Sequence, residues 1–307
     1  MTQPDSSKSL FLTNSRSGYL KKARQLAEQV GTIYGKAKLV AVVEEIDFSQ
    51  LDKQLEIAIQ KGYTHIFAAG GDGTVNAIGS RLIGKSVNFG VIPTGSGNGF
   101  ARNLGFSTQT KLAVRQTLHA QIIKVDTASV NQQPFLNIAG LGLDAEVAQL
   151  YARTTVRGFF PYVKNTMKGW AILKGDSYEI SFEGKRQSFD QLLGIIVANG
   201  SQWGYDAKAA ASARLTDGLL DIVVLHRFPW YQIPLMARRM FRGKLERSRY
   251  VQHFRAKEVS ISRTRFGPVQ LDGEPFEAGK ELHFKACPAS LRLLIPNTLT
   301  PQKVHQL

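Results

Sequence analysis

The chain of 307 residues has a single cysteine, Cys287, so no internal disulfide can form and a cysteine-based zinc site within the chain is excluded. No stretch approaches the ~18 uninterrupted apolar residues of a spanning helix, and Met1 to Ser9 lack the layout of a signal peptide. A reducing, cytoplasmic setting without export or a membrane span is therefore expected. The six histidines, at 65, 119, 226, 253, 283 and 305, show no His-Glu-x-x-His spacing, and no Gly-x-Ser-x-Gly accompanies them, so structural roles are expected. Acidic residues are also scarce. Only 24 Asp+Glu stand against 39 Lys+Arg, and the net charge of +15 points to an anionic partner: nucleic acid, a phosphorylated metabolite or an acidic membrane.

The length exceeds one ordinary core of roughly 100–200 residues, which predicts two domains. From Lys8 to about Ala120, short apolar runs at 10–12, 39–43, 64–69 and 87–92 read as buried strands. Between and after them, 19–30, 51–61, 75–83 and 110–119 carry apolar residues at helical spacing. The β-α alternation predicts a parallel sheet covered on both faces, with ligands outside the strand carboxyl ends. After Asp126 the segments 135–139, 178–182, 192–198, 219–225, 258–262 and 291–295 read as strands. The expected fold class is α/β, an N-terminal doubly wound parallel sheet in 1–126 with a mainly β domain in 127–307.

The third strand runs into Gly70-Gly71-Asp72-Gly73-Thr74-Val75-Asn76, and the fourth into Pro93-Thr94-Gly95-Ser96-Gly97-Asn98-Gly99. Backbone without Cβ can approach a polyphosphate and offer it N–H groups, and the helix opened by Thr74 and Asn76 favours anions at its start. Two such loops at neighbouring strand ends make a phosphate cradle. Neither is a Walker A sequence, nor the Gly-x-Gly-x-x-Gly of a dinucleotide fold.

With these loops, the variant first motif 14–18, Thr94 to Arg102, Val197 to Gly200, Thr216 to Asp221 and Leu271 to Glu274, taken in order, the sequence resembles the diacylglycerol kinase catalytic-domain family. That family includes bacterial diacylglycerol-type lipid kinases and the sphingosine and ceramide kinases. The resemblance implies an α/β nucleotide domain and a C-terminal β-sandwich for the lipid, meeting at a cleft. ATP would be held by Asn14, Gly70, Gly71, Asp72, Gly73, Thr74, Asn76, Thr94, Gly95, Ser96, Asn98 and Arg102. A catalytic carboxylate is implied on Asp272-Gly273-Glu274, and a structural divalent metal on the Asp217 carboxylate with the main-chain carbonyls of Arg214 and Leu219. Three positions depart from the family pattern: Ser15 and Ala211 replace prolines, and Gly99 stands where many bacterial members carry Asp, which leaves the acceptor open.

The chemistry agrees with this reading. Phosphoryl transfer to an alcohol needs positioned phosphates, a divalent ion and a carboxylate near the attacking hydroxyl. Asp72 suits the organisation of magnesium through water, Asp272 the general base, and Glu274 a neighbour that orients either. Access to a lipid calls for aromatics beside basic side chains. Phe228-Pro229-Trp230-Tyr231 with Arg238, Arg239, Arg242, Lys244 and Arg247 supplies them, as do Arg153, Arg157, Phe159, Phe160, Tyr162, Lys164, Lys168 and Trp170. The same residues also suit core packing beneath a solvated face. No nucleic-acid motif accompanies the charge.

The expected activity is an ATP- and magnesium-dependent lipid kinase on a diacylglycerol-like or sphingoid hydroxyl. It would be cytoplasmic, peripherally associated with an anionic membrane, and compatible with a homodimer. Two alternatives stand: an NAD-kinase-like phosphotransferase, which shares the Gly-Gly-Asp-Gly-Thr loop, and a non-catalytic basic membrane-binding module.

Overall fold

The computed structural model describes residues 8–14, 20–95, 97–154, 158–173 and 175–297. The chain divides into two compact units, one built on residues up to Val125 together with the segment from Ala289, the other on Asp126–Pro288. The first unit therefore takes in a late piece of chain that the sequence reading gave to the second domain.

In the first unit, β1 (Lys8–Thr13), β2 (Val40–Glu45), β3 (Tyr63–Gly70) and β4 (Asn88–Pro93) pair in parallel in the order β4-β3-β1-β2. Helices α1 (Leu20–Lys36), α2 (Leu51–Gln60), α3 (Asp72–Gly79), α4 (Gly99–Asn103) and α5 (Thr110–Thr117) alternate with them, as the apolar spacing predicts. The centre of the sheet is wholly apolar: Phe11, Phe67 and Phe89 are buried, and the Phe11 and Phe67 rings stack at 4.4 Å. Such strands need helices over both faces, since neither face has polar residues to turn to water. The parallel arrangement also brings the carboxyl ends of β1, β3 and β4 to one edge, so Asn14 and both glycine loops leave from the same end of the sheet.

From β5 (Gln121–Val130) the pairing becomes antiparallel. It continues through β6 (Gln133–Phe135), β7 (Ile138–Gly142), α6 (Leu143–Ala152), α7 (Phe159–Ile172), β8 (Asp176–Phe182) and β9 (Lys185–Ala198). There follow β10 (Gln202–Gly204), β11 (Ala207–Lys208), β12 (Leu220–His226), α8 (Ile233–Phe241), β13 (Val251–Ala256), β14 (Glu258–Arg263), β15 (Gly267–Leu271), β16 (Glu274–Ala278) and β17 (Glu281–Ile295). Strand β9 pairs with β8 through its first half and with β7 and β12 through its second. The change of partner falls at Gln191, whose φ is +54° and over which Gly175 leaves no room for a Cβ. One apolar cluster gathers Phe135, Leu141, Ile180, Val197, Val259 and Phe284 between these strands. A second gathers Leu193, Ile196, Val223, Phe228 and Met236, with Trp170 and Trp203 packed against it.

The last strand serves both units. Its first half pairs with β14, and Leu293, near its end, is aligned in parallel with Phe89 of β4.

Candidate active site

In the first unit the two glycine loops touch. A Cβ on Gly95 would lie 2.5 Å from the Gly71 Cα, a collision of backbone with backbone, whereas a Cβ on Gly71 would find the Gly95 Cα at an ordinary 3.5 Å. Gly70 is closed to a side chain by Thr74, and the Thr94 N–H donates to the Gly70 carbonyl at 3.1 Å. Asn98 sits at φ +52° and locks its own loop: its Nδ2 donates to the Gly95 carbonyl at 2.9 Å and its Oδ1 accepts the Gly95 N–H at 3.0 Å. A short polar side chain is what tolerates that backbone region and bonds locally in it. Arg102, on α4, reaches the Gly97 carbonyl through Nε at 3.3 Å. Asn14 follows β1 directly. Ser96 and residues 15–18 lie outside the described residues.

Asp72 opens α3, and its carboxylate accepts N–H groups from Gly99 and Phe100, both at 3.1 Å, so it fastens the second loop to the first. Gly99, where the sequence reading noted the loss of a carboxylate, offers it only this N–H. Burial pushes the Asp72 carboxyl above the ordinary carboxylate range, against the pull of those main-chain donors. Asn76 Oδ1 is buried and has no hydrogen-bond partner among the described residues. A buried acceptor in that state calls for a donor or a cation, and the backbone surface between Gly71 and Gly95 is one a Cβ would fill. The cradle therefore fits a nucleotide triphosphate carrying a divalent ion.

In the second unit the Asp272-Gly273 turn joins β15 to β16, with Asp272 at φ +49° and Gly273 at +92°. Asp272 Oδ1 accepts the N–H groups of Asn137 at 2.9 Å and Ile138 at 2.8 Å, and Oδ2 accepts that of Leu136 at 2.8 Å. The Asp272 N–H in turn donates to the Ile138 carbonyl at 2.8 Å. This is why the strand expected over 135–139 is two, β6 and β7: the main chain between them turns to the aspartate. Three of the roughly four acceptor positions of a carboxylate are thereby occupied by main-chain donors. Asp272, which the sequence reading made the proton acceptor, also clasps the main chain at 136–138. Glu274 begins β16 and is exposed.

Beside the clasp stand groups the sequence reading did not single out. Gln270 is buried in β15; its Oε1 accepts the Gly273 N–H at 2.7 Å and its Nε2 donates to Asp144 Oδ2 at 2.7 Å. Trp203 Nε1 donates to the same oxygen at 3.1 Å. Asp144 sits in the first turn of α6, pressed so closely on β7 that a Cβ at Gly140 would stand 1.9 Å from Oδ2. Only the Leu143-Asp144-Ala145-Glu146 step at a strand-to-helix junction could have marked it, and acidic first turns are common.

The metal site implied at Arg214, Asp217 and Leu219 is altered. Asp217 Oδ1 accepts the Leu219 N–H at 3.1 Å, and Oδ2 is ion-paired with the Arg255 guanidinium. Arg255 also reaches fully buried Asp221 at 3.4 Å, while His253 Nε2 meets the other Asp221 oxygen at 2.7 Å. The hydrogen bond to Asp221 raises the His253 pKa above the ordinary imidazole value. With a guanidinium already matching the charge of Asp217, these donors do not fit a divalent ion at this turn. No group of three or more His, Cys, Asp or Glu side chains that could hold a metal occurs among the described residues.

Comparison with known proteins bears on both units. The model of the diacylglycerol kinase catalytic domain matches residues 8–130, and that of the YegS C-terminal NAD kinase beta sandwich-like domain matches 137–295. A diacylglycerol kinase of Bacillus subtilis is 29% identical over 214 residues, 68% of this chain and 70% of its own length. A probable lipid kinase YegS-like of Shewanella frigidimarina is 26% identical over 247 residues, 78% of this chain and 79% of that protein. The crystal structure of a diacylglycerol kinase from Bacillus anthracis matches with a TM-score of 0.71 at 17% identity, covering 96% of this chain and 98% of that one, a likeness of fold. On the two glycine loops, the β-sandwich that follows them and these matches, the chain belongs to the family of the YegS C-terminal NAD kinase beta sandwich-like domain, with a diacylglycerol kinase catalytic domain ahead of it.

Proposed function

We propose that the protein transfers the γ-phosphate of ATP to the hydroxyl of a diacylglycerol-like or sphingoid lipid at an anionic membrane surface. The observation that carries this reading is the backbone contact of Gly71 and Gly95, which clears side chains from two loops at neighbouring strand ends. Main-chain N–H groups of Gly71, Gly73, Thr74 and Gly97 would hold the phosphates, and Asn76 Oδ1 would face the ion's water shell. A divalent ion on the triphosphate supplies neutralisation of the charge that develops during transfer. Asp72 and Asn98 keep the loops in register, and the Asp272 clasp holds the start of β7.

Access to the acceptor rests on the second unit. The two basic aromatic segments meet where the Trp170 and Phe228 rings approach at 6.2 Å, with the Arg227 guanidinium over Trp170. Phe228 and Met236 are core. Trp230, Tyr231, Leu235 and Phe241 on one segment, and Phe160, Val163, Met167 and Ile172 on the other, are exposed, Phe160 to 84%. Arg157 and the side chains of Phe159 and Tyr162 lie outside the described residues. Exposed apolar side chains among Lys164, Lys168, Arg238, Arg239 and Arg242 suit peripheral attachment to acidic lipid, and among the described residues no helix is long and apolar enough to cross a membrane.

The test is transfer of radiolabel from ATP to a panel of diacylglycerols, sphingoid bases, ceramides and NAD. Label in a lipid is expected. Label in NAD alone would replace this reading with the NAD-kinase-like one, and label nowhere would leave a binding module.

A further inference from the structure

The guanidinium beside Asp217 is brought there by the register of the sheet. In the antiparallel pairing of β12 with β13, Arg255 stands directly opposite Asp221, and residues facing each other across two strands are within reach of one another. Asp217 precedes Asp221 by one turn of chain, just before β12 begins. Arg255 spans the two carboxylates: Nε donates to Asp221 Oδ2 at 3.4 Å, and Nη2 to Asp217 Oδ2.

The other oxygens of both carboxylates are also taken. Asp221 is fully buried, so its charge has to be met inside the protein; Oδ1 accepts the Ser212 hydroxyl at 2.7 Å and meets His253 Nε2 at 2.7 Å. Asp217 Oδ1 accepts the Leu219 N–H at 3.1 Å. Asp126 of β5 anchors the same turn from its other side, with Oδ2 accepting the Gly218 N–H at 2.6 Å and its own N–H donating to the Leu215 carbonyl at 2.6 Å. All of these residues belong to the second unit.

We propose that Arg255 is the resident cation of this turn, a guanidinium standing in for the structural divalent ion that the family resemblance implies, so that the second unit holds its fold without metal. A guanidinium carries donors only, arranged in a plane, and can fasten two carboxylates at once. It therefore ties the turn at 214–219 to β12 and β13. An ion on Asp217 Oδ2 would stand against its positive charge, so Arg255 also keeps a divalent ion out. With that charge removed, the Asp217 carboxylate and the carbonyls of Arg214 and Leu219 become an all-oxygen set of the kind magnesium or calcium takes.

The experiment is thermal melting of the full chain without nucleotide, in EDTA and in millimolar magnesium or calcium. The parent should melt at one temperature in all three. Arg255→Met keeps the apolar stem and loses the charge; it should melt several degrees lower in EDTA, because Asp221 is left short of a partner in the core. Calcium or magnesium should restore most of that loss, and adding Asp217→Asn should abolish the restoration, which separates binding at this turn from a general effect of salt. Arg255→Lys keeps a charge and loses the fork, so it should still ignore both ions, and it carries the test if Arg255→Met does not fold. A parent that loses stability in EDTA overturns the inference. So does an Arg255→Met variant as stable as the parent or unmoved by either ion, or an Arg255→Lys variant that gains an ion response. None of these outcomes touches the proposed transfer to lipid, which the radiolabel panel tests separately.

Discussion

The two units build their chemistry by opposite means. In the α/β unit the site is made by leaving atoms out: glycines meet, and no side chain stands between their backbones. In the β unit carboxylates are surrounded, Asp272 by three main-chain donors, Asp144 by two side-chain donors on one oxygen, Asp217 by a main-chain donor and a guanidinium. The first method fails when a single carbon is added, the second when a partner is taken away.

The sharpest break of this contrast is Gly95→Ala against Gly71→Ala. The Gly95 variant forces backbone apart by an ångström or so, a displacement that costs on the order of 100-fold in positioned chemistry. Gly71 has φ −91°, a backbone conformation open to any residue, and ordinary contact distance ahead of it, so its alanine variant should retain most ATP binding. Equal ATP affinity in the two variants, read by calorimetry, would end the exclusion argument.

Removal of a partner comes next in size. Asp272→Ala strands three main-chain donors and should cost about 3–5 kcal/mol in a urea melt. A loss below about 1 kcal/mol would show that water replaces the clasp.

Asp144→Asn should act on stability in the opposite direction. With the folded pKa raised to about 6, stability is fullest below the ordinary carboxylate value and falls as pH rises from about 4 to 6. The asparagine variant lacks that fall, so above pH 6 it should be more stable than the parent by about 1–2 kcal/mol, allowing for the group's partial exposure. Parallel stability curves for the two proteins across pH 4 to 7 would contradict the burial account.

The smallest effect is expected at Asp217. Because Arg255 matches its charge, magnesium without nucleotide should leave the melting temperature of the parent unchanged. A rise of several degrees at millimolar magnesium that Asp217→Ala abolishes would restore the metal to this turn.

Legibility in the sequence followed the same divide. The cradle could be read because its parts are contiguous: strand, glycines and helix start lie within ten residues of one another, and parallel pairing does the rest. The four strands and the helices of the first unit show in the apolar period for the same reason. Asp144 could not be read, since its donors stand 59 and 126 residues away in the chain. Asp272 was noticed, but its hold on the main chain was not, because the N–H groups it accepts lie more than 130 residues upstream and carry no sequence signature. Arg255 is one cation among 39, and only folding decides which of them meets Asp217.

The late strand has a consequence for how the protein is made. A ribosome delivers the parallel sheet of the first unit long before the piece that flanks β4, and Leu293, Leu294 and Ile295 are all buried once that piece arrives. Arg292 Nε then donates to Asn88 Oδ1 at 2.9 Å, and the Gly84 N–H to the Ser290 carbonyl at 2.9 Å. Until synthesis passes residue 295, the nascent first unit presents the open edge of β4, a strand of apolar residues with free main-chain groups, which is a template for mispairing with other chains. Chains that stop at Pro288 should therefore collect in aggregates even though every glycine of the cradle has been translated.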